Sequence, residues 1–431
     1  MIRVERVQWD GGDAEAMVRQ LRKLTPVASD LSSRVAEILE RVRGGGDAAL
    51  REIAESVGDE VPEKLRVDPE AIVAAPGLLE PDVREALRVA AANIEQVAGS
   101  ELEALRKAVI AEPPQGQRIE VRHEPVRAAG VYAPGGRASY PSSVLMCCVP
   151  ARTAGVGRLA VATPPGAGGR PSAAVLAACA IAGVDEVYAV GGAQAIAALA
   201  FGTEATPAVD VIAGPGNRYV TEAKRQVAGI VGIDGLAGPS ELMVVADGTA
   251  DPMLVALDLC AQAEHGEDSP LVVASPDGAL LDRVAELAAE LAAERPSVAE
   301  APLALVATPG VEAALALADA FAPEHLELSF EGADATSARA RVAGCVFVGA
   351  GGATAFGDYL AGSNHVLPTG GAARFSGPLG PTAFMRRTSV VSVSRAAAAA
   401  LAPHVVAIAN AEGLPVHGES AEARAAGSAD G

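Results

Sequence analysis

RLAVATPP (residues 158–165), SAAVLAACAIAGV (172–184), DEVYAVGG (185–192), AQAIAALAFG (193–202), VDVIAGPG (209–216) and NRYVTEAKRQVAG (217–229) succeed one another with little between them. A short apolar run closed by Gly or Pro predicts a strand buried on both faces, and the longer segments between such runs predict helices. The order is therefore strand, helix, strand, helix, strand, helix, which is the rhythm of a parallel sheet with crossover helices. The same rhythm resumes downstream with ELMVVAD (241–247), DPMLVALDLCAQAEHG (251–266), PLVVASP (270–276), LLDRVAELAAELAAERP (280–296), PLALVAT (302–308), VEAALALADAF (311–321), HLELSF (325–330) and CVFVGA (345–350). The predicted fold class is α/β: two tandem doubly wound, incomplete Rossmann-like parallel-sheet domains, alike in architecture with no obvious repeat in sequence.

The flanks read differently. Residues up to about Ala129 predict a helical layer, with Gly44 to Gly46 breaking one helix and Asp47 placed to cap the next helical segment. After Gly351 the chain predicts loops, then a strand from Thr388, a helix and an exposed tail whose last dozen residues are expected to be disordered.

Composition narrows the function. The chain has 431 residues, half of them apolar, enough for two or three cores. Its net charge of −20 excludes the Lys/Arg-rich surface that nucleic acid requires and disfavours an anionic membrane. There is no apolar run of the roughly 18 residues a spanning helix needs, and the charged start MIRVERVQWDGGDAE is unlike a signal peptide, so the expected address is the cytoplasm. The five cysteines, Cys147, Cys148, Cys179, Cys260 and Cys345, show no CxxC spacing and sit in apolar stretches; they predict reduced, mostly buried thiols. Cys147 and Cys148 have no neighbouring base, which argues against a thiol nucleophile.

Four of the six histidines stand in polar clusters: Gln262 with His265, Glu324 with His325, Asp358 with His365, and Glu412 with His417. Nitrogen and oxygen donors of this kind suit zinc or a related divalent cation, and such a site needs about four ligands. Gln262, His265, Asp358 and His417 offer them from three separate segments, whose convergence cannot be read from spacing. Gln262 and His265, three apart at a predicted helix end, are expected on one face, and Asp358 and His365 in a glycine-containing loop. An adjacent Glu-His pair can take a proton from an alcohol as hydride leaves and can activate water; as a polar helix terminus, Glu324 would be solvated and His325 bonded to a backbone carbonyl. No GxGxxG is present, yet three strand-to-helix turns, Tyr132 to Gly136, Gly191 to Gln194 and Gly214 to Asn217, lie where free backbone N–H groups favour an anion.

GVYAPGGRASYPSSVLM (130–146), VGGAQAIAALAFG (190–202), GPGNRYVTEAKR (214–225), GPSELMVVAD (238–247), AQAEHG (261–266), PEHLEL (323–328), GDYLAGSNHVLPTGG (357–371) and EGLPVH (412–417) together resemble the L-histidinol dehydrogenase family, from LSSRVAEILERVRGGGDAAL (31–50) onwards. The resemblance implies oxidation of L-histidinol to histidinal and then to L-histidine, with two molecules of NAD and one zinc per site. It implies Gln262, His265, Asp358 and His417 as metal ligands, His417 coming from the other subunit of a homodimer. Glu324 and His325 would be the catalytic pair, and Tyr132, Gln194 and Asn217 would contact NAD. Ser240, His365 and Glu412 would hold substrate together with His325 and the four metal ligands. The implied organisation is an arm (1–27), a larger α/β domain (28–131 with 240–378) carrying the catalytic pair, an NAD-binding α/β domain (132–239) and a dimerisation tail (379–431). Val211, where members often carry lysine, and Cys147-Cys148, in place of a polar-small pair, depart from the pattern. Two rival readings are a zinc hydrolase, which leaves the glycine turns unemployed, and a non-catalytic two-lobed binding protein, which leaves Glu324-His325 idle.

Overall fold

The computed structural model describes residues 2–25, 30–105, 109–135 and 139–426. The chain forms two compact units, Met1–Gly99 with Arg127–Phe384, and Ser100–Val126 with Met385–Gly431. Among the described residues the strands are, in order, β1 (Arg3–Gln8), β2 (Val109–Ala111), β3 (Arg118–Pro125), β4 (Ala128–Tyr132), β5 (Arg158–Thr163), β6 (Glu186–Ala189) and β7 (Val211–Ala213). Then come β8 (Gly232–Ile233), β9 (Leu242–Ala246), β10 (Leu271–Ser275), β11 (Pro302–Ala307), β12 (His325–Ser329), β13 (Cys345–Val348) and β14 (Met385–Ser392).

The first unit holds two parallel sheets, ordered β6-β5-β4-β7-β8 and β1-β11-β10-β9-β12-β13. Counted from β4 and from β9, each runs 3-2-1-4-5, the order of a dinucleotide-binding sheet with its switch point beside the first strand. Burial on both faces explains the unbroken apolar runs. Leu242, Val244 and Ala246 of β9 face Val255, Leu259, Val284 and Leu287, whereas Met243 and Val245 face Val18, Leu21, Leu315 and Phe321 on the other side. Asp251, Asp277 and Asn217 cap the helices that start after them by accepting backbone N–H groups of the first turn.

The N-terminal region is less helical than its sequence suggests. β1 is an edge strand paired with β11, and only Val7 of its residues is buried; a partner three hundred residues away leaves no local trace. The Ser32–Val57 helix covers the smaller sheet, with Val35, Leu39, Val42, Leu50 and Ile53 in the same core as Ile196 and Leu199. It kinks at Gly46 (φ 53°, ψ −139°) as its glycines predict. The cap expected from Asp47 is supplied instead by Glu204, whose Oε2 accepts the Asp47 N–H at 2.8 Å, while Asp47 Oδ1 accepts from Ala205 at 3.3 Å.

In the second unit β14, β3 and β2 form an antiparallel sheet. Helices Arg395–Ala411 and Pro415–Ala426 pack on each other where Gly418 approaches Val406, and Arg395 donates to the carbonyl of Ala426. The tail expected to be disordered is thus helical as far as Ala426, because this packing and that bond hold it; residues 427–431 lie outside the described residues. No helix among the described residues is long and apolar enough to cross a membrane.

Candidate active site

The helix Val311–Phe321 ends at Ala322, which adopts φ 53° and ψ 61° and is the one non-glycine residue with positive φ among those described. Pro323 then prevents helix continuation, and the chain turns into β12 with Glu324 and His325 at its amino end. A left-handed alanine costs about 1 kcal/mol. That strain sits immediately before Glu324 and His325.

Glu324 and His325 are buried, with 6% and 2% exposure, against the amino end of the neighbouring β9. Glu324 Oε2 accepts from the Ser240 hydroxyl at 2.6 Å and from the Glu241 N–H at 2.8 Å. The carbonyl of Glu241 receives both the N–H and the Nδ1–H of His325, at 3.2 and 3.1 Å. A carbonyl can only accept, so in the neutral ring the proton is on Nδ1 and the lone pair on Nε2. Nε2 is buried without a hydrogen-bond partner, 3.5 Å from Asp358 Oδ1. Burial alone would depress this ring, but the Glu324 and Asp358 carboxylates outweigh it and raise its proton affinity well above that of an ordinary histidine.

Asp358 is not in a loop: it belongs to the short helix Thr354–Tyr359. The start signal is tertiary, because Ala353 has no capping side chain and the Thr354 N–H is accepted at 3.3 Å by Glu327, a residue of β12. Burial raises the Asp358 carboxyl, but His325, His365 and His265 together hold it below the usual range. His365 donates through Nδ1 to the Asp358 carbonyl at 2.8 Å, so its Nε2 accepts from Ser143 at 3.1 Å, and burial keeps the ring neutral.

Gln262 lies in the last turn of the Pro252–Ala263 helix and is 1% exposed; His265, three residues on, lies in the turn that continues from it and is exposed. Gln262 Nε2 donates to Ser240 at 2.5 Å, and its Oε1 is buried with no donor. Among the described residues no three His, Cys, Asp or Glu side chains cluster closely enough to hold a metal by themselves. The orphaned Gln262 oxygen, the charged Asp358 and the nearby His265 nevertheless fit a divalent cation, with further ligands required. Glu412 and His417 are exposed residues of the second unit, at the junction of its two helices.

The three glycine turns stand at carboxyl ends of strands in the smaller sheet. Tyr132 ends β4 and its hydroxyl accepts the Gly192 N–H at 3.0 Å; Gln194 is buried in the first turn of Gly192–Phe201. Asn217 caps Arg218–Val227 through Oδ1. Gly214 (φ 114°) passes so near β4 that a Cβ would lie 2.2 Å from the Tyr132 carbonyl. At the β4/β7 switch point the turn backbone is therefore pressed directly against the end of β4. Gly136 lies outside the described residues.

Lys224 and Asp234, each almost fully buried, form an ion pair that also grips Gly214: the ammonium donates to its carbonyl at 3.0 Å and Asp234 Oδ2 accepts its N–H at 2.7 Å. A Lys224→Met substitution strands the carboxylate and is expected to lower unfolding free energy by about 3 to 5 kcal/mol. Urea denaturation measures it, and a loss below about 1 kcal/mol would show that the pair does not matter.

Two contributors escape sequence reasoning. Glu241, whose backbone cradles both Glu324 and His325, is buried and its carboxyl raised by burial, while Arg22 bonds it at 2.9 Å and Gly370 at 3.1 Å. An acid heading the apolar run of β9 was the available signal; Arg22, which also donates to the Phe321 carbonyl at 2.7 Å, had none. Burial raises the Cys147 and Cys148 thiols, in keeping with their inert reading.

A family model described as histidinol dehydrogenase matches residues 22–425. The chain is 43% identical to the histidinol dehydrogenase of Parasynechococcus marenigrum over 424 residues, covering 96% of each, and 43% identical to that of Thermobifida fusca over 441 residues, covering 98% and 97%. The crystal structure of histidinol dehydrogenase from Elizabethkingia anophelis superposes with a TM-score of 0.90 at 32% identity, covering 98% of both chains.

Proposed function

Since the chain belongs to the histidinol dehydrogenase family, we propose that it oxidises L-histidinol through L-histidinal to L-histidine, in two successive NAD-dependent hydride transfers at a site holding one zinc ion. The observation that carries this reading is the buried Glu324–His325 pair, fixed by Ser240 and the Glu241 backbone, with Nε2 of His325 left free beside Asp358.

Gln262, His265 and Asp358, with His417 of the partner subunit, would hold zinc, which when bound supplies positive charge that orients the substrate's nitrogen atoms. Tyr132, Gln194 and Asn217 would line the site of NAD, which when bound supplies the hydride acceptor. In its neutral form His325 accepts the hydroxyl proton at Nε2 as the alcohol becomes an aldehyde. Two donors converge on Glu324 Oε2, so its other oxygen is the one available to take a proton from water as that water adds to the aldehyde. His325 returns its first proton to the aldehyde oxygen as the water adds, and then accepts the proton of the resulting hydrate as it is oxidised to the acid. His365, held in one tautomer by Asp358 and Ser143, would hold substrate together with Ser240 and Glu412. Retaining the aldehyde through both steps shields it from side reactions. The tail carrying Glu412 and His417 would complete the site of a second copy, making the working form a homodimer.

Purified protein supplied with L-histidinol, NAD and zinc is expected to form about two NADH per histidinol consumed, and none after chelation. A yield of one with aldehyde released would overturn the two-step reading. No oxidation at all would overturn the activity.

A further inference from the structure

Glu327 is a buried acid that the proposed chemistry does not use, two residues beyond His325 and therefore on the same face of β12. Its carboxyl hydrogen-bonds Asp258, which lies one helical turn before Gln262 on the same face of Pro252–Ala263. Its Oε1 also accepts the N–H of Thr354, one turn before Asp358 on the helix Thr354–Tyr359. Burial raises both carboxyls above the ordinary carboxylate range, and the charge of Asp258 raises Glu327 further. The three elements that meet at Glu327 are those that carry His325, Gln262 and Asp358.

We propose that Glu327, acting with Asp258, is a positioning residue: its carboxyl sets the separation of the strand bearing His325 from the two helices bearing Gln262 and Asp358. This rests on the function proposed above. The N-cap residue Ala353 makes no side-chain cap bond of its own, so loss of the Glu327 acceptor frees that helix to shift. An amide in place of the acid keeps both bonds, accepting from Thr354 and donating to ionised Asp258. A leucine of similar size keeps neither.

The test compares Glu327→Gln with Glu327→Leu, and Asp258→Asn with Asp258→Leu in case the buried leucine at 327 prevents folding. Zinc affinity is read by competition with a chromophoric chelator, independently of turnover, alongside kcat and the KM for NAD. The amide variants are expected within about threefold of the unaltered protein; the leucine variants are expected to lose zinc affinity and kcat by about 10- to 100-fold with the KM for NAD unchanged. Leucine variants with normal zinc affinity and kcat would overturn the proposal. So would amide variants as impaired as the leucines, or a parallel loss of NAD binding, which marks general structural damage. If the unaltered protein binds zinc but does not oxidise histidinol, the proposed function fails while the zinc affinities still report on positioning.

Discussion

Replacing His325 by asparagine should lower kcat for histidinol oxidation by about a thousandfold while leaving the fold intact. Asparagine is short enough to enter the pocket, and its amide can still donate to the Glu241 carbonyl that now receives Nδ1–H. What disappears is the lone pair of Nε2, the atom buried without a partner. Both half-reactions should fall together, because each needs the same proton acceptor, so supplying histidinal in place of histidinol should not restore the rate. Steady-state NADH formation with either substrate, with circular dichroism to confirm folding, decides the matter. Turnover within tenfold of the unaltered protein would remove His325 as the base.

Asp358→Ala should be comparably severe for a different reason. The carboxylate faces His325, His365 and His265, and its loss removes the anionic ligand of the proposed zinc site. Zinc affinity is expected to fall by more than about 100-fold, with turnover undetectable at stoichiometric zinc and partly regained at large excess. The same substitution withdraws one of the two carboxylates that raise His325, so the ring should lose its proton at lower pH than in the unaltered protein. Metal content after dialysis and a titration of the ring followed by NMR test the two halves separately. Undiminished zinc content would take Asp358 out of the ligand set.

Much of the fold was legible because its cause is local. A strand covered by helices on both faces must be apolar at every position, so β9, β10 and β11 announce themselves in ELMVVAD, PLVVASP and PLALVAT. β1 was illegible, since an edge strand with one buried side chain has no such pattern and its partner lies at the far end of the sheet. The helix of Asp358 has no local start signal in the sequence, because its cap, Glu327, comes from a strand of the sheet.

The sequence by itself determined the α/β class, the alternation that builds both sheets, the inert setting of the cysteines, and the residue types able to serve as ligands and bases. These arise from burial and periodicity, which are properties of neighbouring residues. Only the tertiary structure decided that Glu324 and His325 stand at the amino end of their sheet, that the Glu241 backbone fixes both, and that Gln262, bonded to Ser240, keeps a bare buried oxygen. Hydrogen-bond partners and the electrostatic balance around a buried ring depend on groups that can lie more than two hundred residues apart in the chain, and a linear pattern does not encode which of them meet.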